Sequence, residues 1–124
     1  MYRILIVEDE PRIVAFIQKG LQRAGFTTEV TYDGETALAV VQTQSFDLML
    51  LDLGLPLKDG QTLLEEMRSQ GITLPVIILT ARSMDDSGMS PILASARRFI
   101  RKPFRMGELV QAMQQVLQPD HGNR

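Results

Sequence analysis

Five short strand-like runs alternate with helix-like segments along this chain, and that alternation restricts its fold more than any other feature. Arg3-Ile-Leu-Ile-Val7, Asp47-Leu-Met-Leu-Leu51 and Val76-Ile-Ile-Leu-Thr80 are nearly continuous apolar runs. Such runs suit strands covered on both faces, as in a parallel sheet. Thr27-Thr-Glu-Val-Thr31 and Arg98-Phe-Ile-Arg101 alternate polar with apolar residues, which suits the sheet edges. Ile13, Val14, Ile17, Leu21 and Ala24 share one face of a first helix, with Pro11 in its first turn and Gly25 past its end. A second helix begins after Asp33-Gly34 and buries Ala37, Leu38 and Val41. A third begins after Asp59-Gly60, buries Leu63, Leu64 and Met67, and stops at Gly71. The last carries Leu109, Val110, Met113, Val116 and Leu117 at helical spacing. Five β-α units predict a doubly wound α/β domain, a five-stranded parallel sheet with helices on both faces. It takes residues 1–118, and 119–124 form a tail or the start of a linker.

Composition removes whole classes of chemistry. There is no cysteine, so a thiol nucleophile, a thiolate metal site and a disulfide scaffold are excluded. The single histidine, His121, lies in the polar tail, which excludes histidine-based catalysis and a multi-histidine zinc site. Thirteen basic against fifteen acidic residues, a net charge of −2, argue against a nucleic-acid-binding module. No apolar run approaches the ~20 residues that span a bilayer. The chain enters its first strand without a signal peptide, and the expected location is the cytoplasm.

Ligands of doubly wound folds bind outside the carboxyl ends of the strands. Those ends carry Glu8-Asp9-Glu10, Asp52, Thr80-Ala81 and Lys102-Pro103. Clustered carboxylates repel, so a cation has to relieve them. Lys102 can pair with one, and a hard divalent ion such as Mg2+ can serve the rest. That set suits a phosphoryl group, with Asp52 as nucleophile and with Lys102 and the Thr80 hydroxyl holding its oxygens. Each residue alone has a plainer reading. An Asp after a strand caps a helix, a Thr or a Lys-Pro makes a turn, and Asp9-Glu10 caps the first helix. Their joint placement at four strand ends favours the chemical reading.

The segments Ile4-Leu-Ile-Val-Glu8-Asp9-Glu10, Asp47-Leu-Met-Leu-Leu-Asp52-Leu-Gly-Leu-Pro56, Asp59-Gly60, Pro75-Val-Ile-Ile-Leu-Thr80-Ala81-Arg82 and Lys102-Pro103-Phe104 closely resemble the receiver domain of bacterial two-component response regulators. The resemblance covers residues 1 to about 118 and is strongest to the winged-helix transcription-factor branch. It implies a flavodoxin-like strand order, 2-1-3-4-5. It implies that Asp52 accepts a phosphoryl group from a sensor histidine kinase, a switch rather than a turnover enzyme. Mg2+ would be held by the side chains of Asp9 and Asp52 and the carbonyl of Gly54, with Glu8 acting mostly through water. Lys102, usually followed by a cis bond to Pro103, would contact the phosphoryl group together with Thr80 and Ala81. Phe99 takes the place of the family's aromatic switch. Tyr is more frequent there, and Phe keeps the volume without the hydroxyl. Gly54 and Arg82 sit where side chains tune the lifetime of the acyl phosphate. The output surface would be the fourth helix, fifth strand and fifth helix. A DNA-binding domain would follow outside this chain, with no nucleic-acid contact by the receiver itself.

Two stretches depart from the family pattern. Ser83 to Ala96 has the length of a fourth helix but contains Gly88 and Pro91, and an interior proline costs roughly 3 kcal/mol. Ser90-Pro91 suits a helix start, so a short fourth helix from near Ser90 is expected, with residues 84–90 mobile and lacking regular helix. Arg97-Arg98 stands where the family commonly has acidic residues, and the last helix ends Gln111-Ala-Met-Gln-Gln-Val-Leu-Gln118 with no basic residue. A dimer is expected to avoid the branch's usual ion-paired face. Two rival functions are weaker. A Mg2+-dependent phosphohydrolase with an aspartyl-phosphate intermediate usually has a second Asp two residues after the nucleophile, where this chain has Gly54. A nucleotide-binding module lacks its glycine-rich loop after every strand.

Overall fold

The computed structural model of the chain describes residues 1–81 and 90–118. The apolar runs become β1 (Arg3–Val7), β3 (Leu48–Asp52) and β4 (Val76–Thr80), and the alternating ones β2 (Thr27–Thr31) and β5 (Arg98–Arg101). All neighbours pair in parallel in the order β2-β1-β3-β4-β5, which leaves the two alternating strands at the edges. β3 runs one residue further than expected, so Asp52 is its last paired residue, opposite Leu79. The helices are α1 (Pro11–Arg23), α2 (Gly34–Thr43), α3 (Gly60–Ser69) and α4 (Met106–Leu117).

Strand alternation splits the core in two. Ile4, Ile6, Leu48, Leu50, Ile77 and Leu79 pack on one face with Ile17 and Leu21 of α1 and Leu109 and Met113 of α4. Leu5, Val7, Met49, Leu51 and Ile78 pack on the other with α2 and α3 through Ala37, Val41, Leu63, Leu64 and Met67. Burying each large side chain stabilises the fold by about 1.5–3 kcal/mol. Ala24, expected on the buried face of α1, is exposed, because the helix ends at Arg23 and Gly25 turns the chain away at φ 96°.

The helix starts set the geometry of the sheet's carboxyl edge. The Thr36 amide donates to the Asp33 side chain at 2.7 Å, and the Thr62 amide to Asp59 at 2.8 Å, each cap worth about 1 kcal/mol. A Cβ at Gly60 would lie 2.7 Å from the Asp52 carbonyl oxygen, so α3 can start this close to the end of β3 only with glycine.

No α-helix links β4 to β5 among the described residues. The expected short helix is reduced to one 3-10 turn, Leu93–Ser95. Its N-cap is Ile92, without a side-chain cap, and Ser90 stands two residues earlier, where its hydroxyl accepts from the Leu93 amide at 3.4 Å and its carbonyl from the Ala94 amide at 3.1 Å. The expectation for residues 84–89 lies outside the described residues.

Among the described residues one buried hydroxyl goes unused. Thr31 is 5% exposed, and its Oγ1 has no hydrogen-bond partner. Thr31→Val keeps the branched shape and removes that desolvated group, so it should stabilise the protein by about 1 kcal/mol in urea denaturation. A loss of stability would mean that the hydroxyl is satisfied.

Candidate functional site

Sheet pairing continues one residue beyond β1, where the Glu8 amide donates to the Thr31 carbonyl at 3.1 Å. This draws the Glu8 side chain inside, to 1% exposure. Asp9 follows on the surface, and Glu10 occupies the position before α1 without a side-chain cap. The acidic run is therefore not a helix cap. Ligand oxygens of Glu8, Asp9 and Asp52 all lie within 4.8 Å of one another. Mg2+ binds oxygens at about 2.0–2.1 Å, so two ligands on opposite sides of one ion stand about 4 Å apart, and small side-chain shifts would bring this cluster to that span.

Lys102 leaves β5 through a cis bond to Pro103, as expected, and its amide donates to the Thr80 carbonyl at 2.8 Å. Its ammonium lies 2.9 Å from Glu8 Oε1 and 3.2 Å from Asp52 Oδ1. The second oxygen of Glu8 accepts from the Glu10 amide at 3.1 Å. Both oxygens of Glu8 are thus engaged by the protein. Burial is the largest influence on its carboxyl and, with Asp52 acting the same way, pushes its pKa up against the pull of Lys102 and the Glu10 amide. Burial alone would lower the Lys102 pKa, but the two carboxylates outweigh it and hold the ammonium charged.

Thr80 ends β4 fully buried, opposite Arg101, and Ala81 beyond it is exposed. Gly54 is exposed, and among the described residues nothing lies within 4 Å of where a Cβ would stand. Phe99 is half-buried against the α2–α3 core. Arg82 lies outside the described residues.

Two features escaped the sequence reading. Leu57 is 77% exposed with φ 66°, centring a tight turn in which the Lys58 amide donates to the Pro56 carbonyl at 2.7 Å. Such a φ is strained for a branched residue. Phe16, 49% exposed, faces Phe104 with ring centroids 6.0 Å apart. With Ile13, Ala81, Lys102 and Pro103 they line a cavity of about 420 Å³ beside the acidic cluster. The signal was an aromatic residue off the buried Val14-Ile17-Leu21 face of α1.

A buried carboxylate at a strand end, an ammonium fixed beside it and an adjoining cluster of hard oxygen ligands can together receive an anionic group and a divalent cation. No helix among the described residues is long and apolar enough to cross a membrane. A family model described as the response regulator receiver domain matches residues 4–114. The transcriptional activator protein IrlR of Burkholderia pseudomallei is 41% identical over 115 residues, which are 93% of this chain and 50% of that protein. The chain spans about half the length of the curated relatives it matches. The Francisella response regulator 1452 receiver domain superposes with a TM-score of 0.88 at 30% identity, covering 96% of this chain and 98% of that one. The receiver domain of a sensor histidine kinase from Pseudomonas aeruginosa, with a magnesium ion coordinated in its active-site cleft, gives 0.84 at 30% identity, covering 94% of this chain and 97% of that one. On the match across most of its length, this chain belongs to the response regulator receiver domains of two-component systems.

Proposed function

We propose that Asp52 is the phosphoacceptor of this receiver, loaded by a sensor histidine kinase. The supporting observation is its position: 8% exposed at the end of β3, with an oxygen 3.2 Å from the Lys102 ammonium. An Asp52 carboxylate oxygen attacks the phosphorus of a phosphohistidine, the P–N bond breaks, and the proton needed by the leaving imidazole comes from the donor side. Lys102 moves from carboxylate to phosphoryl oxygen as the acceptor's charge is converted, and Thr80 and Ala81 lie at the adjoining strand end to contact the same group. Asp9, Asp52 and the Gly54 carbonyl would hold Mg2+, which when bound supplies positive charge to the phosphoryl oxygens. The Phe16–Phe104 cavity gives the kinase an apolar seat beside the acceptor.

The modified Asp52 would bias the surface that includes β5 and α4, with Phe99 as the moving ring. Gly54 leaves one side of the acyl phosphate unshielded, and Arg82, two residues beyond Thr80 in the sequence, would cover it. Half the length of IrlR and similar regulators lies outside the matched region, and control of transcription through a DNA-binding domain fits that remainder. Phosphohydrolase activity is the poorer reading, because Gly54 cannot serve as a general acid.

The direct test incubates the chain with acetyl phosphate and follows intact mass. One phosphoryl group should be gained with Mg2+ present and none after chelation. Uptake indifferent to the metal would overturn the reading. Metal titration should also separate the acids. Glu8 has both oxygens occupied and Asp9 neither, so Asp9→Asn should weaken Mg2+ binding about tenfold or more, and Glu8→Gln only a few-fold. Comparable losses would remove that ranking.

A further inference from the structure

From Ser87 to Gly107 the chain has no acidic residue and five basic ones, Arg97, Arg98, Arg101, Lys102 and Arg105, although its net charge is −2. Lys102 is consumed by Glu8 and Asp52. The four arginines are exposed, and none pairs with a carboxylate among the described residues. The guanidinium of Arg98 donates to the Arg97 carbonyl and to Gln115 Oε1, both at 3.1 Å. Those neutral acceptors orient the group and leave its charge uncompensated. On α4 the exposed Gln111, Gln114 and Gln115 offer no carboxylate, and Glu108 in the first turn is the helix's one acid.

We propose that Arg97, Arg98 and Arg101, along the β5 edge of the sheet, form a docking surface for an acidic, extended protein segment. All three are arginines, whose planar fork matches a carboxylate with two parallel hydrogen bonds. β5 is an edge strand. Its alternation places Arg98 on the α4 face with Ile100, and Arg101 on the opposite face with Phe99. The charges therefore straddle a narrow ridge. An extended chain laid along that ridge sends successive side chains to the two faces in the same alternation, so acidic residues of both parities meet a guanidinium. Nucleic acid fits less well. Its backbone needs a long run of positive charge, whereas here the sheet's carboxyl edge carries Glu8, Asp9, Glu10 and Asp52. The surface lies outside the phosphoacceptor cluster, and a binding test on the unmodified chain stands or falls apart from the chemistry proposed for Asp52.

The test uses the whole chain and a fluorescein-labelled peptide of about ten residues repeating Glu-Glu-Ser, which carries acids at both parities, followed by anisotropy at near-physiological salt of about 0.15 M. Saturable binding is expected. Arg98→Glu/Arg101→Glu should weaken it at least about tenfold, and Arg98→Gln/Arg101→Gln should weaken it too. Lys19→Glu/Arg23→Glu, which changes net charge equally on exposed positions of α1, should leave affinity within about twofold. Thermal melting confirms that each variant is folded. No saturable binding, or equal losses in the two reversed pairs, would overturn the proposal. So would tighter binding of a DNA duplex of about twelve base pairs than of the peptide, which would make the strip a nucleic-acid contact.

Discussion

Asp52→Asn is expected to abolish phosphoryl uptake while leaving the fold intact. Asparagine preserves the side-chain volume at this 8%-exposed position and keeps an oxygen that can accept from Lys102. It removes the anionic oxygen that attacks phosphorus, and a neutral amide oxygen is a far weaker nucleophile. The rate of phosphoryl gain from acetyl phosphate with Mg2+ should fall by at least about a thousandfold, into the background. The stability curve in urea should move little, because the lost charge also relieves Glu8, whose carboxyl Asp52 helps to push up. Intact-mass measurement over time decides the matter. Uptake by the variant at the native rate would shift the acceptor to another carboxylate, and Asp9 would be the first to examine because it shares the cluster and is exposed.

The fold was legible because strand alternation and buried-strand continuity are local properties of the chain. The apolar runs of β1, β3 and β4 announce coverage on both faces, and the alternating runs of β2 and β5 announce edges. The site was legible for a related reason: in a parallel sheet all carboxyl ends point one way, so residues distant in sequence are gathered by topology alone. What escaped was set by contacts between elements. The depth of Glu8 had no marker in the sequence: the pairing of its amide with Thr31 draws it inside, where Lys102 and the Glu10 amide engage its two oxygens. The positive φ of Leu57 has no marker in a leucine, and the exposure of Phe16 depends on the distance to Phe104 across α1 and the segment after β5. Among the described residues before β5 the chain forms one 3-10 turn in place of the short helix expected after Ser90-Pro91, and propensity alone could not say that such a turn would suffice to bury Leu93.

Lys102→Met should expose how much of this pocket's stability rests on one ammonium. Methionine retains most of the apolar stem and removes the charge. Glu8 and Asp52 then face each other without compensation, one of them 1% exposed. Breaking a buried pair in this way costs about 3–5 kcal/mol, and because the Lys102 side chain is 18% exposed the loss at pH 7 should be nearer about 2. The pH dependence follows from Glu8. Burial, followed by the effect of Asp52, already raises its pKa above the ordinary 4.5, and loss of Lys102 removes an opposing pull. A carboxyl raised on folding contributes stability that is fully present below its unfolded pKa and is lost as pH rises through the folded one. The deficit of the variant relative to the native protein should therefore be small near pH 4 and grow toward pH 7. Added Mg2+ should narrow the deficit at pH 7, because a divalent ion at the cluster replaces the missing positive charge and binds only the folded chain. Paired urea titrations at the two pH values, with and without the ion, measure all of this. A deficit that is the same at both pH values and indifferent to Mg2+ would show that Lys102 stabilises the domain through packing of its stem, with the carboxylates relieved by water instead.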